Sequence, residues 1–217
     1  HELKNPLTSL RSAVETLPRA KKAADRDRLT AIIQHDVRRL DRLISDISNA
    51  SRLDAELARE STEIVDLEKL ADAMASIQRD VAAARQVAIV IDKHQGRHAA
   101  KVHGHDSRLA QVFNNLVDNA VSFSSEGGTV EVTIVTNADT VTLTVADQGP
   151  GVRGDIGRIF TRFYTDRPDR ESFGNHSGLG LSICRHILVA PKGTIGAANR
   201  THRSGAPFTV TLPRAKR

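Results

Sequence analysis

Two asparagines stand one helical turn apart in residues 109–122, LAQVFNNLVDNAVS. At helical period the apolar residues of this stretch share one face, which leaves Asn115 and Asn119 together on an adjoining face. A carboxamide offers a neutral oxygen to a hard cation, and Mg²⁺ that keeps waters and phosphate oxygens needs only one or two such ligands. The pair is therefore a candidate magnesium site. On this stretch alone, two solvated surface asparagines are the simpler interpretation.

A carboxylate and two glycine turns follow downstream. DQGPG, residues 147–151, comes after an alternating strand; there Asp147 can accept a hydrogen bond from an exocyclic amine, and the glycines let backbone approach a flat ring. SGLGL, residues 177–181, opens an apolar helix whose first N–H groups can hold a phosphate. By itself, a simple Asp-Gly turn explains the first motif equally well.

The chain opens with His1 and Glu2 side by side. An imidazole can be a neutral nucleophile near neutral pH, and an adjacent carboxylate can hydrogen-bond one ring nitrogen and raise the basicity of the other. Taken alone, a surface histidine is the simpler interpretation of this pair. The other histidine group, 94, 98, 103 and 105, lacks cysteines and paired carboxylates, so we disfavour a metal site there.

Composition narrows the class of protein. An apolar share of 39% in 217 residues supports ordinary cores, and 3% aromatics fits a chain with a long helical part. The single cysteine, Cys184, excludes a disulfide framework and favours a reducing compartment. No apolar run is long enough to span a membrane, and we expect no signal peptide in this chain. Because the chain begins inside a helical pattern, we expect it to be a fragment of a longer protein.

The net charge of +5 raises the question of nucleic acid. The basic residues are scattered, and one Tyr with no Trp provides no base-stacking platform. The composition favours a solvated basic surface, or attraction to an anionic membrane or acidic partner, over specific nucleic-acid recognition.

The first sixty residues read as a helical hairpin. Apolar residues at 3, 7, 10, 14 and 17 predict a helix, kinked at Pro6, that ends near Leu17 before Pro18. An apolar stripe from Leu29 to Leu53 predicts a second helix that ends around Ala58. One hairpin buries too little core to be stable alone, so pairing of two hairpins into a four-helix bundle predicts a dimer.

The remaining chain predicts an α/β unit that begins after a compositional shift at residues 61–65, which gives domains 1–60 and 61–217. Asp106 is the expected N-cap of the helix that carries the asparagine pair. The run 165–177 is a candidate mobile lid anchored by Phe160 and Phe163. Predicted helices cover residues 66–85 and 181–189, and predicted strands cover residues 87–92, 99–103, 129–135, 140–146, 194–198 and 208–212.

Taken together and in order, these motifs resemble the sensor histidine kinases of bacterial two-component systems. HELKNPL (1–7) matches the phosphoacceptor box, NLVDNA (115–120) the Asn box, DQGPG (147–151) and GLGL (178–181) the glycine boxes, and FTRF (160–163) the Phe box. The resemblance covers practically the whole chain. Stretches such as SLRSAVETLP and RFYTDRP look closest to the ChvG/BvrS type of envelope- and acid-sensing kinases.

The resemblance implies a dimeric helical hairpin followed by a Bergerat-type α/β sandwich that binds ATP and Mg²⁺. It implies that His1 accepts the γ-phosphoryl group, that Glu2 is its base, and that Asn5 serves dephosphorylation of a response regulator receiver domain. Asn119, supported by Asn115, would hold Mg²⁺, and Asp147 would bind the adenine amine. The other nucleotide contacts would come from Phe123, Gly149, Gly151, Arg162, Ser177, Gly178, Leu179, Gly180 and Leu181. The whole protein would be a bacterial inner-membrane protein, attached only through segments outside this chain, with this part cytoplasmic.

Three features depart from the family pattern. Ser122 replaces a usual Lys, for which Arg162, Arg167 or Arg170 could substitute; His176 replaces a frequent Gly; and Pro191-Lys192 replaces a common His-Gly. Two alternatives stay open. One is a catalytically silent, dimeric nucleotide-sensing scaffold. The other is a gyrase- or chaperone-type ATPase, disfavoured because Asn115 stands where those enzymes have a catalytic Glu.

Overall fold

The computed structural model describes residues 4–56, 62–94, 98–162, 164, 178–201 and 203–216. The predicted roles of His1, Glu2 and Ser177, and the lid at residues 165–177 with its second anchor Phe163, therefore concern positions outside the described residues.

The N-terminal part is a helical hairpin, as predicted. Helix α1 (Lys4–Thr16) leads through a 3-10 turn (Leu17–Arg19) into the long helix α2 (Ala23–Glu56). Pro18 lies inside that turn, where its fixed φ and missing N–H end α1. Pro6 occupies the first described turn of α1, a position that lacks intrahelical N–H partners anyway. The residues before it are not described, so the kink stays a prediction.

The α/β part is built on a five-stranded mixed sheet whose strands alternate buried and partly exposed residues. Its main sheet has the order β2-β4-β5-β7-β6, with β2 (Ala88–His94) and β4 (Thr129–Thr136) parallel and the other pairs antiparallel. The remaining strands are β5 (Thr140–Ala146), β6 (Thr194–Ala197) and β7 (Pro207–Pro213). Every second residue of β4 and β5 is buried, so one face of the sheet is covered and the other is partly solvated.

Three helices cover that face: α3 (Leu67–Ala83), α4 (Asp106–Phe123) and α5 (Gly180–Ile187). Helix α4 packs against both of the others, and its fully buried Leu116 and Val117 join Val130 and Val132 of β4 in one core. The predicted fold class is confirmed. Helices α4 and α5 and strand β5, which carry the candidate nucleotide contacts, therefore all pack into one apolar core.

Two expectations for this part were wrong in detail. Residues 63–65, expected within the domain boundary, and Asp66, expected to begin a helix, form strand β1 (Glu63–Asp66), which pairs with β3 (Lys101–Gly104). The sequence hid this strand because it is short and buries only one side chain, Val65. The N-cap of α4 is His105, and Asp106 is the first helical residue. There its negative charge still interacts favourably with the helix dipole.

Two helix ends carry non-glycine residues in the left-handed conformation. After α3, Gln86 has φ 56, and the Val87 amide donates to Ala82 O at 3.0 Å, as in a Schellman motif. After α5, Lys192 has φ 55 at the position where the family pattern has a glycine.

Within the described residues, no helix is both long and apolar enough to cross a bilayer. The His, Cys, Asp and Glu side chains of that part of the chain form no group of three that could hold a metal ion.

Candidate nucleotide-binding site

Helix α4 presents the asparagine pair as predicted. Its apolar residues Leu109, Val112, Phe113, Leu116 and Ala120 are buried, whereas Asn115 and Asn119 are half-buried on the neighbouring face. The Ser122 hydroxyl donates to Asn119 O at 2.7 Å. Ser122 is thus held against its own helix, and it carries no cation that could replace the usual Lys.

Asn115 joins α4 to the second glycine turn. Its Nδ2 donates to Gly180 O at 3.2 Å. The buried Cys184 thiol of α5 donates to Val112 O of α4 at 3.8 Å. Burial raises the pKa of Cys184 to about 12, so this thiol stays neutral. The bond to Gly180 uses the amide nitrogen of Asn115 and fixes the orientation of its carboxamide, so its oxygen remains a candidate ligand beside that of Asn119.

The second glycine turn leads directly into α5. Gly178 has φ +69, a conformation that suits glycine, and α5 begins at Gly180. Leu179 is 2% exposed and belongs to the core, so only its main chain can face a ligand. The first turn of α5 still offers backbone N–H groups, which are suited to an anion.

Asp147 lies at the end of β5 and is buried. Its Oδ1 accepts hydrogen bonds from the amides of Gly149, at 2.8 Å, and Ala206, at 3.3 Å. Burial raises the pKa of Asp147, while the two amides and the positive charge of Arg200 act in the opposite direction. Oδ2 has no hydrogen-bond partner among the residues that the structure describes. It is the atom left to accept from an amine.

The first glycine turn approaches its neighbours too closely for side chains at its glycines. A Cβ on Gly149 would come within 2.5 Å of the Phe123 carbonyl oxygen, and Gly151 has φ +79. Phe123, at the end of α4, is half-buried beside this turn. We call Asp147 and the turn 149–151 the cradle; a flat ring with an exocyclic amine would suit it, because the glycines carry no side chains and Asp147 offers an acceptor.

The loop between β6 and β7 supports Asp147, which the sequence did not predict. A Cβ on Gly205, which has φ +116, would overlap the Asp147 carbonyl oxygen, and Ala206 donates to the carboxylate. Arg200 Nη2 donates to Glu131 Oε2 at 2.7 Å, and Asn199 bonds the main chain of Val152. The only sequence signal was the glycine before the last strand, since Asn199 and Arg200 match no motif.

The other predicted site residues that the structure describes are Phe160, Arg162 and Asn5. Phe160, the first expected lid anchor, is buried, and Arg162 is exposed in the turn that follows the 3-10 segment Ile156–Phe160. Nearby, the Arg158 guanidinium lies 5.6 Å from the centroid of the Tyr164 ring. Asn5 is in the first described turn of α1, in the other domain.

Comparison with known proteins agrees with this geometry. The description "Histidine kinase-, DNA gyrase B-, and HSP90-like ATPase" matches residues 104–216, and the "His Kinase A (phospho-acceptor) domain" matches residues 1–56. Sensor protein ChvG of Agrobacterium fabrum is 53% identical over all of this chain and 38% of its own length. The chain thus spans about two fifths of that relative.

Solved structures give the same result. Full-length ShkA in complex with AMPPNP is 27% identical, with a TM-score of 0.66 over all of this chain and 45% of ShkA. Histidine kinase ThkA in complex with the response regulator protein TrrA is 22% identical, has a TM-score of 0.76 over 99% of this chain and 59% of ThkA, and shows the fold alone. With a phosphoacceptor domain and an ATPase domain in this order, the chain belongs to the sensor histidine kinases and is similar to the ChvG type.

Proposed function

We propose that this chain uses ATP to phosphorylate His1 and then passes the phosphoryl group to an aspartate of a response regulator. The observation that carries the proposal is the cradle around Asp147, in which one carboxylate oxygen is held by two amides and the other is left for an amine. Family membership and the glycine turns support the same function. The division into domains 1–60 and 61–217 is part of this proposal.

The adenine would lie between Asp147 and the backbone of Gly149 and Gly151, with Phe123 at one side. The phosphates would face the backbone N–H groups of the second glycine turn, from Ser177 to Leu181. With Ser122 in place of Lys, Arg162 is the described cation that we assign to phosphate neutralisation. Its exposure leaves its guanidinium accessible to a ligand.

Mg²⁺ would neutralise charge on the phosphate oxygens, with Asn119 as its protein ligand and Asn115 as the support. Asn119 is half-buried on the same helix face, and Asn115 would support it because the bond from its Nδ2 to Gly180 O fixes the neighbouring carboxamide. One neutral protein oxygen suffices for an ion that keeps its waters.

The transfer itself would be an in-line displacement. A ring nitrogen of His1 attacks the γ-phosphorus, the N–P bond forms as the bond to the leaving ADP oxygen breaks, and Glu2 accepts the proton of the other ring nitrogen. In the second step the receiver aspartate takes the phosphoryl group and the N–P bond breaks. Asn5 would assist a separate reaction, in which water attacks the aspartyl phosphate of the regulator, the bond to the carboxylate oxygen breaks and inorganic phosphate leaves.

The hairpin supports a homodimer. In one copy α1 exposes Leu7 and Val14, and α2 exposes Val37 and Ile44, each pair spaced by seven residues. A seven-residue apolar repeat is the pattern of a helical seam, so two hairpins would cover these residues in a four-helix bundle. We place the whole protein at the bacterial inner membrane, with this part in the cytoplasm.

The proposal is tested by incubating the full-length protein with ATP labelled at the γ-phosphate and Mg²⁺. We expect protein-bound label that acid removes and base does not, lost in His1→Gln and strongly reduced in Asn119→Ala. Label-free protein that only binds nucleotide would favour the sensing scaffold, and steady release of phosphate without phosphoprotein would favour the ATPase. Arg162→Ala with normal nucleotide affinity and normal phosphorylation would remove Arg162 from the site.

A further inference from the structure

The connection between β6 and β7 contacts the turn that carries the first glycine motif. The side chain of Asn199 makes two hydrogen bonds with one residue of that turn: the Val152 amide donates to Oδ1 at 2.7 Å, and Nδ2 donates to Val152 O at 2.9 Å. One carboxamide thus satisfies both main-chain groups of Val152, as a neighbouring strand would.

The fit extends to the glycine before Val152. Gly151 has φ +79, and a Cβ there would come within 2.8 Å of Asn199 Oδ1. The left-handed glycine and the carboxamide are therefore complementary. A side chain at position 151 would be strained by the left-handed backbone. It would also press on the clamp, by which we mean the two hydrogen bonds between the Asn199 carboxamide and Val152.

The connection is itself anchored on the sheet. The Arg200 amide donates to Gly205 O at 3.1 Å, and the Arg200 side chain pairs with Glu131 of β4 at 2.7 Å. The same connection reaches Asp147 through the Ala206 amide. It therefore holds both ends of the glycine motif, Asp147 at one end and Val152 at the other.

We propose that Asn199 is a positioning residue that holds the turn at residues 149–151 at a fixed distance from Asp147, so that the adenine cradle is formed before the nucleotide arrives. This inference rests on the proposed nucleotide site. A turn without the clamp occupies the binding-competent shape for only a fraction of the time, and the apparent affinity falls by that fraction. Asn199 itself is exposed and need not touch the ligand.

The test compares Asn199→Ala with Asn137→Ala in titrations of the full chain with Mg·ADP. Asn137 is exposed in the turn between β4 and β5, at the end of the sheet opposite Asp147. We expect Asn199→Ala to weaken nucleotide binding on the order of tenfold and Asn137→Ala to leave it unchanged. In the nucleotide-free protein, amide exchange at Val152 should accelerate in Asn199→Ala alone, with the exchange of β5 amides unaltered.

A double variant tests the coupling. Gly151→Ala should weaken binding by itself, and adding Asn199→Ala should weaken it little further, because both changes release the same contact. Native affinity in Asn199→Ala, additive losses in the double variant, or faster exchange throughout β5 would each overturn the inference. A native chain that binds no nucleotide would overturn the proposed function and this inference together, whereas native binding with an unchanged Asn199→Ala overturns the inference alone.

Discussion

At the scale of single residues, the charge state of Asp147 would govern the proposed contact with the adenine amine. An ionised carboxylate accepts a hydrogen bond from an amine, and a protonated one loses much of that capacity. Burial raises the pKa of Asp147 above its ordinary value of 3.8, and Arg200 counteracts part of this rise. Arg200 therefore has two roles: it anchors the β6–β7 connection on Glu131, and it helps to keep Asp147 ionised.

We expect Arg200→Gln to shift the pH dependence of nucleotide binding. In the native chain, affinity should fall as the pH decreases through the raised pKa of Asp147, by at most about tenfold per pH unit for one proton. Removal of the Arg200 charge raises that pKa further, so the fall should begin at higher pH. Calorimetric titrations across mildly acidic pH would measure it, with each variant compared with the native chain so that ionisation of the nucleotide cancels.

Arg203→Gln, an exposed position in the same connection, is the control and should keep the native profile. Identical profiles for Arg200→Gln and the native chain would contradict a role for this charge. In the absence of nucleotide, the pH dependence of folding stability has the opposite sign. The free energy of unfolding falls as the pH rises from the unfolded-state pKa of Asp147 to its raised folded-state pKa, because the buried carboxyl must then ionise.

At the scale of elements, the ends of the helices set where the site residues lie. Helix α3 ends in a Schellman motif whose left-handed position is occupied by Gln86. The amide of Gly127, in the turn before β4, donates to Gln86 O at 2.8 Å. That bond ties the end of α3 to the turn before β4, the strand that carries Glu131. A Cβ in the left-handed region is unfavourable, so this junction forms despite its residue type.

Gln86→Gly should therefore stabilise the chain by roughly 0.5–1 kcal/mol, since relief of the left-handed strain exceeds the extra entropy of glycine in the unfolded state. Equilibrium urea unfolding at fixed protein concentration would measure the change. Gln86→Ala retains the Cβ and is the matched control, expected to give no gain. Stabilities for Gln86→Gly at or below that of Gln86→Ala would contradict the assignment.

At the scale of the whole molecule, the two parts of the chain bury their apolar residues differently. The α/β part closes one continuous core in a single copy. The hairpin instead leaves Leu7, Val14, Val37 and Ile44 exposed by between 44% and 60%. We infer that a second hairpin covers this surface, because apolar residues that repeat every seven positions along two helices form the seam of a helical bundle.

We expect Ile44→Glu to dissociate the proposed dimer at micromolar concentration, because a carboxylate would be buried in an apolar seam without a partner. Sedimentation velocity would give the mass of each variant. Ile77→Glu is the control, since Ile77 is 64% exposed on α3 of the α/β part and lies outside the seam. A dimeric Ile44→Glu, or equal dissociation of both variants, would contradict this interface.

The sequence by itself determined the elements and the order of the motifs. Periodicity predicted the hairpin, the strands and helix α4, because local burial patterns follow the geometry of helix and strand. Residue type and spacing also identified Asn119, Asp147 and the glycine turns as the candidate site. These are properties of short segments, and they can be read from neighbouring residues alone.

Only the tertiary structure decided what supports those residues. Asn115 meets Gly180 across 65 positions of sequence, and Asn199 meets Val152 across 47. Neither contact leaves a local pattern, because the two partners come together only when the sheet order β5-β7-β6 is formed and α5 packs on α4. The buried state of Asp147, and hence the direction of its pKa shift, is likewise a property of the folded core and not of the motif that contains it.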